Sequence, residues 1–201
     1  MRMWIVCSGQ APQTWKKRCA PEEYAALCCA QLEGEIGPVD LKPIQTAGRP
    51  IFISAHPAAR ETAARLYPDG EPRVDPRLDE LLPEAQPGGT PQPLWLLRWK
   101  ARPRGARKTE AERRADSLIA SLEETDEDCI LISHPRFLGI LLDRLRVHGY
   151  CITRGGLIRI LPLERILITR RDMHCGGCGH NCYLSNPGCG IGKDKAARRS
   201  Q

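Results

Sequence analysis

The sequence predicts a three-layer α/β domain, a mainly parallel sheet flanked by helices, followed by a small cysteine-rich extension. Three observations carry this. Short β-rich apolar runs alternate along the chain with segments of helical periodicity. Two of those runs pass into a helix through a His-Pro pair, the strand-to-helix succession expected of a parallel sheet. With 201 residues, 41% of them hydrophobic and 27% charged, the chain has room for one main core and a small appendage.

Taken in order, Met3 to Val6 reads as the first strand. A helix is predicted to start at Pro21 and run through EEYAALCCAQLE. The strand Ile51 to Ser54 leads into HPAARETAARLY, where Ala59, Ala63 and Leu66 share one helical face. From Pro83 the prolines and the Gly88-Gly89 pair break regular structure, so 83–107 is expected to be a loop or lid. A helix over about Lys108 to Leu122 follows. The strand Ile130 to Ser133 then feeds HPRFLGILLDRLRVHGY, with Phe137, Ile140, Leu141 and Leu145 forming an apolar stripe. Leu157 to Leu161 and Arg165 to Thr169 complete the expected strands. The predicted division is a domain over 1–171 and an extension over 172–201.

Composition narrows the function classes. No apolar run approaches the roughly 20 residues needed to cross a bilayer, and the apolar start is too short for a signal peptide, so a cytoplasmic protein with no membrane association is expected. The net charge of +6 is uneven: Arg98, Lys100, Arg102, Arg104, Arg107 and Lys108 fall in a stretch without acidic residues, and Lys193 to Arg199 forms a basic tail. A uniformly basic nucleic-acid-binding domain is thereby excluded. Ten cysteines without an export signal point to thiols and metal ligands rather than a disulfide framework.

Ligands of such sheets bind beyond the carboxyl ends of the strands, which here are Cys7-Ser8-Gly9, Ser54-Ala55-His56 and Ser133-His134-Pro135. His134, after a buried strand and before a helix N-terminus, stands where anions bind. His56 reads as a helix-start residue. The blocks around these turns are WIVCSGQ, IFISAHPAARETAARLY with Arg60, Thr62 and Ala63, VDPRLDE with Glu80, and CILISHPRFLGILLDRL with His134.

In this order the four blocks resemble the histidine phosphatase superfamily, the phosphoglycerate mutase-like group, over most of residues 3 to 147. The resemblance implies that group's fold. It also implies that Cys7 and Ser8 stand where the family has a phosphate-gripping Arg and the nucleophilic His. Glu80 then takes the position of the proton-donating carboxylate, His134 that of the second catalytic histidine, and Arg60 that of an arginine on the phosphoryl group.

Two departures undo the chemistry. An imidazole attacks phosphorus and yields a phosphoramidate that water can clear, whereas a phosphorylated Ser8 would be a stable ester. Cys7 cannot supply the bidentate, permanently charged clamp of an arginine. As a nucleophile in its own right, Cys7 lacks a visible source of thiolate activation, and it reads as a small residue at a tight turn. The expectation is a degenerate member without phosphohistidine catalysis, in which Arg60 and His134 bind an anionic or phosphorylated ligand. An altered phosphatase or a redox enzyme is the alternative.

The strongest chemical signal is HCGGCGHNCYLSNPGCGIG, where Cys175, Cys178, Cys182 and Cys189 have the spacing C-x2-C-x3-C-x6-C. Glycines at the knuckle and a turn at Asn186-Pro187-Gly188 suit four thiolates on one metal centre, whose binding would supply the folding energy this segment lacks. Compact cysteine runs favour a [4Fe–4S] cluster, with zinc as the other candidate and His174 and His180 as substitute zinc ligands. A protein could dock on this module.

Trp95 and Trp99, interleaved with Arg98, Lys100, Arg102 and Arg104, allow three readings. They could form a lid with its tryptophans packed on the domain, or a nucleic-acid contact by stacking and phosphate pairing, the weakest contender. In the third, the arginines replace the lost phosphate clamp.

Overall fold

The computed structural model describes residues 1–84, 88–153 and 160–170, together with two isolated positions, 193 and 197. In chain order its elements are β1 (Arg2–Cys7), β2 (Arg18–Cys19), α1 (Pro21–Glu33), β3 (Ile51–Ile53), α2 (Pro57–Leu66) and β4 (Pro72–Val74). They continue with β5 (Gln92–Pro93), α3 (Leu94–Lys100), α4 (Gly105–Thr125), β6 (Cys129–Ser133), α5 (Pro135–Val147), β7 (Tyr150–Thr153) and β8 (Arg165–Arg170).

Six strands form one sheet in the order β4-β3-β6-β1-β8-β7, and β2 and β5 form a separate two-stranded ladder. The pairings β4 with β3, β3 with β6, and β6 with β1 are parallel, while β8 runs antiparallel to both β1 and β7. The architecture is therefore α/β with a mainly parallel sheet.

Alternation along β1 sorts its side chains onto two faces. Met3, Ile5 and Cys7 join the core made with Ala115, Leu118, Ile119 and Leu122 of α4 and with Phe137, Leu138, Leu141, Leu142 and Leu145 of α5. Val6 and the partly buried Trp4 face the other way, toward Ala59, Ala63 and Leu66 of α2. β6, between two parallel neighbours, is buried at all five positions, as expected for a strand covered on both faces. Each fully buried Leu, Ile or Phe contributes about 1.5–3 kcal/mol, so these two cores hold the sheet level. A third cluster of Cys19, Tyr24, Cys28 and Leu97 seats α3 on α1.

The structure departs from the sequence reading in several places, among them the unexpected short strands β2, β4, β5 and β7. The stretch 83–107 is not all loop: LWLLRWK forms α3 between Pro93 and Pro103, because burying Leu97 rewards a short helix that the prolines bracket without interrupting. α4 begins at Gly105, ahead of the expected Lys108. The helical pattern extended through Tyr150 ends earlier, where Gly149 takes φ 85° and lets the chain turn into β7 with Tyr150 buried. Of the expected strand Leu157 to Leu161, positions 157–159 lie outside the described residues, and Ile160 and Leu161 belong to no strand. No described helix is long and apolar enough to cross a membrane.

Candidate functional site

Four strand ends stop at one level. Ser8 N–H donates to the Ser133 carbonyl at 2.7 Å, Ser54 N–H to that of Ile132 at 3.1 Å, and Asp75 N–H to that of Ile53 at 2.9 Å. This gathers the turn residues of β1, β3, β4 and β6, although Ser8 and His134 are 126 positions apart.

There the side chains form a closed line. Ser8 Oγ lies 2.6 Å from His134 Nδ1, and His134 Nε2 lies 3.1 Å from Ser54 Oγ. Ser54 Oγ–H donates to Asp79 Oδ1 at 2.9 Å, and the Ala55 amide donates to the same oxygen at 2.7 Å. The acceptor at Asp79 sets the direction of the rest: Ser54 spends its only proton there, so it accepts from His134 Nε2–H, which leaves Nδ1 to accept from Ser8 Oγ–H. Ser54 Oγ also takes the His56 amide at 3.3 Å, which fills its capacity.

Ser8, Ser54 and His134 are all fully buried. Burial, and secondarily the His56 ring packed edge-on at 5.2 Å, push His134 down to about 3, so the imidazole is neutral. The arrangement leaves His134 little to offer the anion expected there. Both ring nitrogens are committed to protein hydroxyls, no solvent reaches it, and the neutral ring carries no charge to offer. Cys7 is likewise fully buried at the end of β1, and Ser8, where the resemblance places a nucleophile, has its hydroxyl proton engaged.

Glu80 is used as a cap. Oε1 accepts the amides of Leu81 at 2.8 Å and Phe137 at 2.9 Å, and Oε2 accepts that of Arg136 at 3.1 Å, so two of its partners are orphan donors of the first turn of α5. Burial pushes its carboxyl up, opposed by the Arg136 guanidinium and by those three amides, which favour the carboxylate.

Arg60 is exposed on α2 and turns back to the Ala55 carbonyl at 3.3 Å; among the described residues no hydrogen bond or ion pair joins it to His134. Ala59 and Ala63 take the inward face of α2, and Arg60 falls outside it. Two other arginines, which sequence reasoning passed over, stand closer to the strand ends. Arg114 donates to the Asp79 carbonyl and stacks at 4.4 Å over Phe137, with its buried Nε unpartnered. Arg136 donates from Nη2 to Tyr24 Oη at 2.9 Å and Cys28 Sγ at 3.1 Å. Although burial pulls the other way, Cys28, Glu80 and Tyr24 hold its guanidinium above the ordinary arginine value. The available signal was position: Arg136 follows the Ser-His-Pro turn, and Asp79 precedes Glu80.

Beside this closed centre opens a cleft of about 1400 Å³ between α1, α3 and α5, with Ile160, Leu161 and Pro162 on its far wall. Its cations are Lys17, Arg98, Arg102, Arg136 and Arg146. Its two carboxylates are spoken for, Glu80 by the amides of α5 and Asp143 by Arg146 at 2.6 Å. Among the described residues, the side chains of Lys17, Arg98 and Arg102 form no ion pair with a carboxylate, whereas Arg136 is engaged by Tyr24 and Cys28 and feels the charge of Glu80. Trp95 and Trp99 lie exposed along this cleft, where a lid reading had them packed on the domain.

Cys175, Cys178, Cys182 and Cys189, with His174, His180 and most of the basic tail, lie outside the described residues. Among the described residues no group of three or more His, Cys, Asp or Glu side chains is arranged to hold a metal ion. Cys28 and Cys129 are buried, and burial foremost pushes the Cys129 thiol up to about 12. No protein-family model matches the chain, and no curated protein matches it.

Proposed function

We propose that this chain is a degenerate phosphoglycerate mutase-like protein that binds an anionic or phosphorylated ligand without phosphohistidine catalysis and carries a metal centre on its C-terminal cysteines. The carrying observation is the cleft, lined by Lys17, Arg98 and Arg102 without carboxylate partners among the described residues and by the buried Arg136. Cations left uncompensated along a concave surface focus field and attract anions. The burial of Ser8 and the double engagement of His134 argue against an altered phosphatase, since a nucleophile must be reachable by its substrate. The third reading of the basic stretch fits this best: Arg98 and Arg102, with Arg136, take over the anion-holding role.

Calorimetric titration with pyrophosphate tests the reading. Binding that weakens with added salt and falls on Arg98→Gln with Arg102→Gln is the expected result, and no binding at low ionic strength would refute it. Hydrolysis of a generic aryl phosphate should stay at background.

For the extension, the spacing of Cys175, Cys178, Cys182 and Cys189 supports four thiolates on one centre, with [4Fe–4S] ahead of zinc. Protein purified without oxygen should carry about four iron and four sulfide per chain and show a visible absorption band. One zinc without colour would assign a structural knuckle, and neither metal would end the metal proposal.

A further inference from the structure

We infer that the cleft is built for a nucleotide unit, a planar base joined to a phosphate, an inference that rests on the anion-binding reading above. Three of the four tryptophans in the chain, Trp15, Trp95 and Trp99, line the same cleft as the unpaired cations. Trp95 is 71% and Trp99 51% exposed, although tryptophans ordinarily seek burial. α3 explains how they stay out. Its inward contact is Leu97, packed on Cys19, Tyr24 and Cys28, and Trp95 and Trp99 stand one turn apart on another side.

The sequence repeats a unit here, Trp95-x-x-Arg98 within α3 and Trp99-x-x-Arg102 across its C-terminal end. In the first, the indole and the guanidinium three residues on lie on neighbouring helix surface; in the second, the Arg102 amide just past the helix donates to the Trp99 carbonyl at 3.3 Å, and the two indoles are displaced by about 6 Å along the axis. Arg104 already stacks on one face of Trp99 at 4.2 Å and Arg98 lies 5.5 Å from the centre of the Trp15 ring, so among the described residues Trp95 is the cleft indole with no cation over it. A ring for a base beside a cation for a phosphate, given twice, is the chemistry of nucleotide binding without base-specific readout. A lone phosphate would use the cations and leave the rings idle, and the cleft of about 1400 Å³ exceeds even the usual small-molecule site.

The test uses the full chain and four probes: inorganic phosphate, ribose 5-phosphate, adenosine monophosphate and a short oligothymidylate, followed by calorimetry and tryptophan emission. Adenosine monophosphate should bind about 5- to 150-fold more tightly than ribose 5-phosphate. Trp95→Ala, at an exposed position, should remove that advantage while leaving the ribose 5-phosphate affinity unchanged. Tighter binding of the oligothymidylate than of the mononucleotide would make a single strand the source of the ligand, and the reverse order a free nucleotide. Equal affinity for adenosine monophosphate and ribose 5-phosphate, or an advantage that survives Trp95→Ala, overturns the inference and leaves the anion reading standing. No binding of any probe, inorganic phosphate included, overturns both.

Discussion

Acid should destabilise this fold through His134. Its ring is held neutral with Nδ1 accepting from Ser8 and Nε2–H donating to Ser54, and it titrates in the folded protein at about 3 against 6.5 for the free side chain. A depressed folded value means that the stabilising contribution is whole above 6.5 and is lost as pH falls, because the unfolded chain gains a proton that the folded one refuses. The gap of about three and a half pH units, at about 1.4 kcal/mol each, sets the full loss at about 5 kcal/mol by pH 3. Between pH 6.5 and 4.5, before most carboxylates titrate, about 2 kcal/mol should already be gone. Glu80 works in the opposite sense, since its raised folded value favours proton uptake in the native state as pH falls. The measurement is therefore a difference: urea unfolding of the native protein and of His134→Gln at both pH values, followed by tryptophan emission. The native protein should lose about 2 kcal/mol more than the variant over that window. Identical pH dependence of the two would refute the buried neutral histidine.

Other substitutions test the remaining geometry. Glu80→Ala removes the acceptor of the Leu81, Arg136 and Phe137 amides and should cost about 2–4 kcal/mol in chemical denaturation, with Glu80→Gln costing less. Introducing the Arg-His-Gly triplet of the proposed family with Cys7→Arg and Ser8→His should lower the unfolding midpoint and yield no phosphatase activity, because both positions are fully buried and neither new side chain has space there; hydrolysis of an aryl phosphate above background would sink this. Gly139, inside α5 with open space where a Cβ would stand, should accept Ala with a gain of about 0.8–1 kcal/mol, read from urea midpoints.

Elements with a continuous local pattern could be read directly from the chain. α1 starts at Pro21 as proline at a first turn predicts, and the stripe of Phe137, Leu141 and Leu145 on α5 is buried as its spacing requires. β7 was hidden because its four residues follow a helix without a break in apolar character, and only Gly149 marks the reversal. α3 was hidden because prolines on both sides look like breakers, while its stabilisation comes from contacts with α1, distant in sequence. At the centre, the strand-end serines and His134 could be located, but not their saturation: whether a histidine faces a ligand or two hydroxyls depends on pairs such as Ser54 and His134, 80 positions apart. The same holds for Arg136, which in sequence is one basic residue among thirty.

The direction of β8 gives the molecule two poles. It pairs with β1 so that Thr169 sits opposite Arg2, and the described chain reaches Arg170 at the end of the sheet where the parallel strands begin. Ser8 and His134 lie at the other end, about 20 Å away at the rise of a strand. A change at the Arg2–Thr169 end would therefore leave the hydrogen-bonded line of Ser8, His134 and Ser54, a strand's length away, where it is.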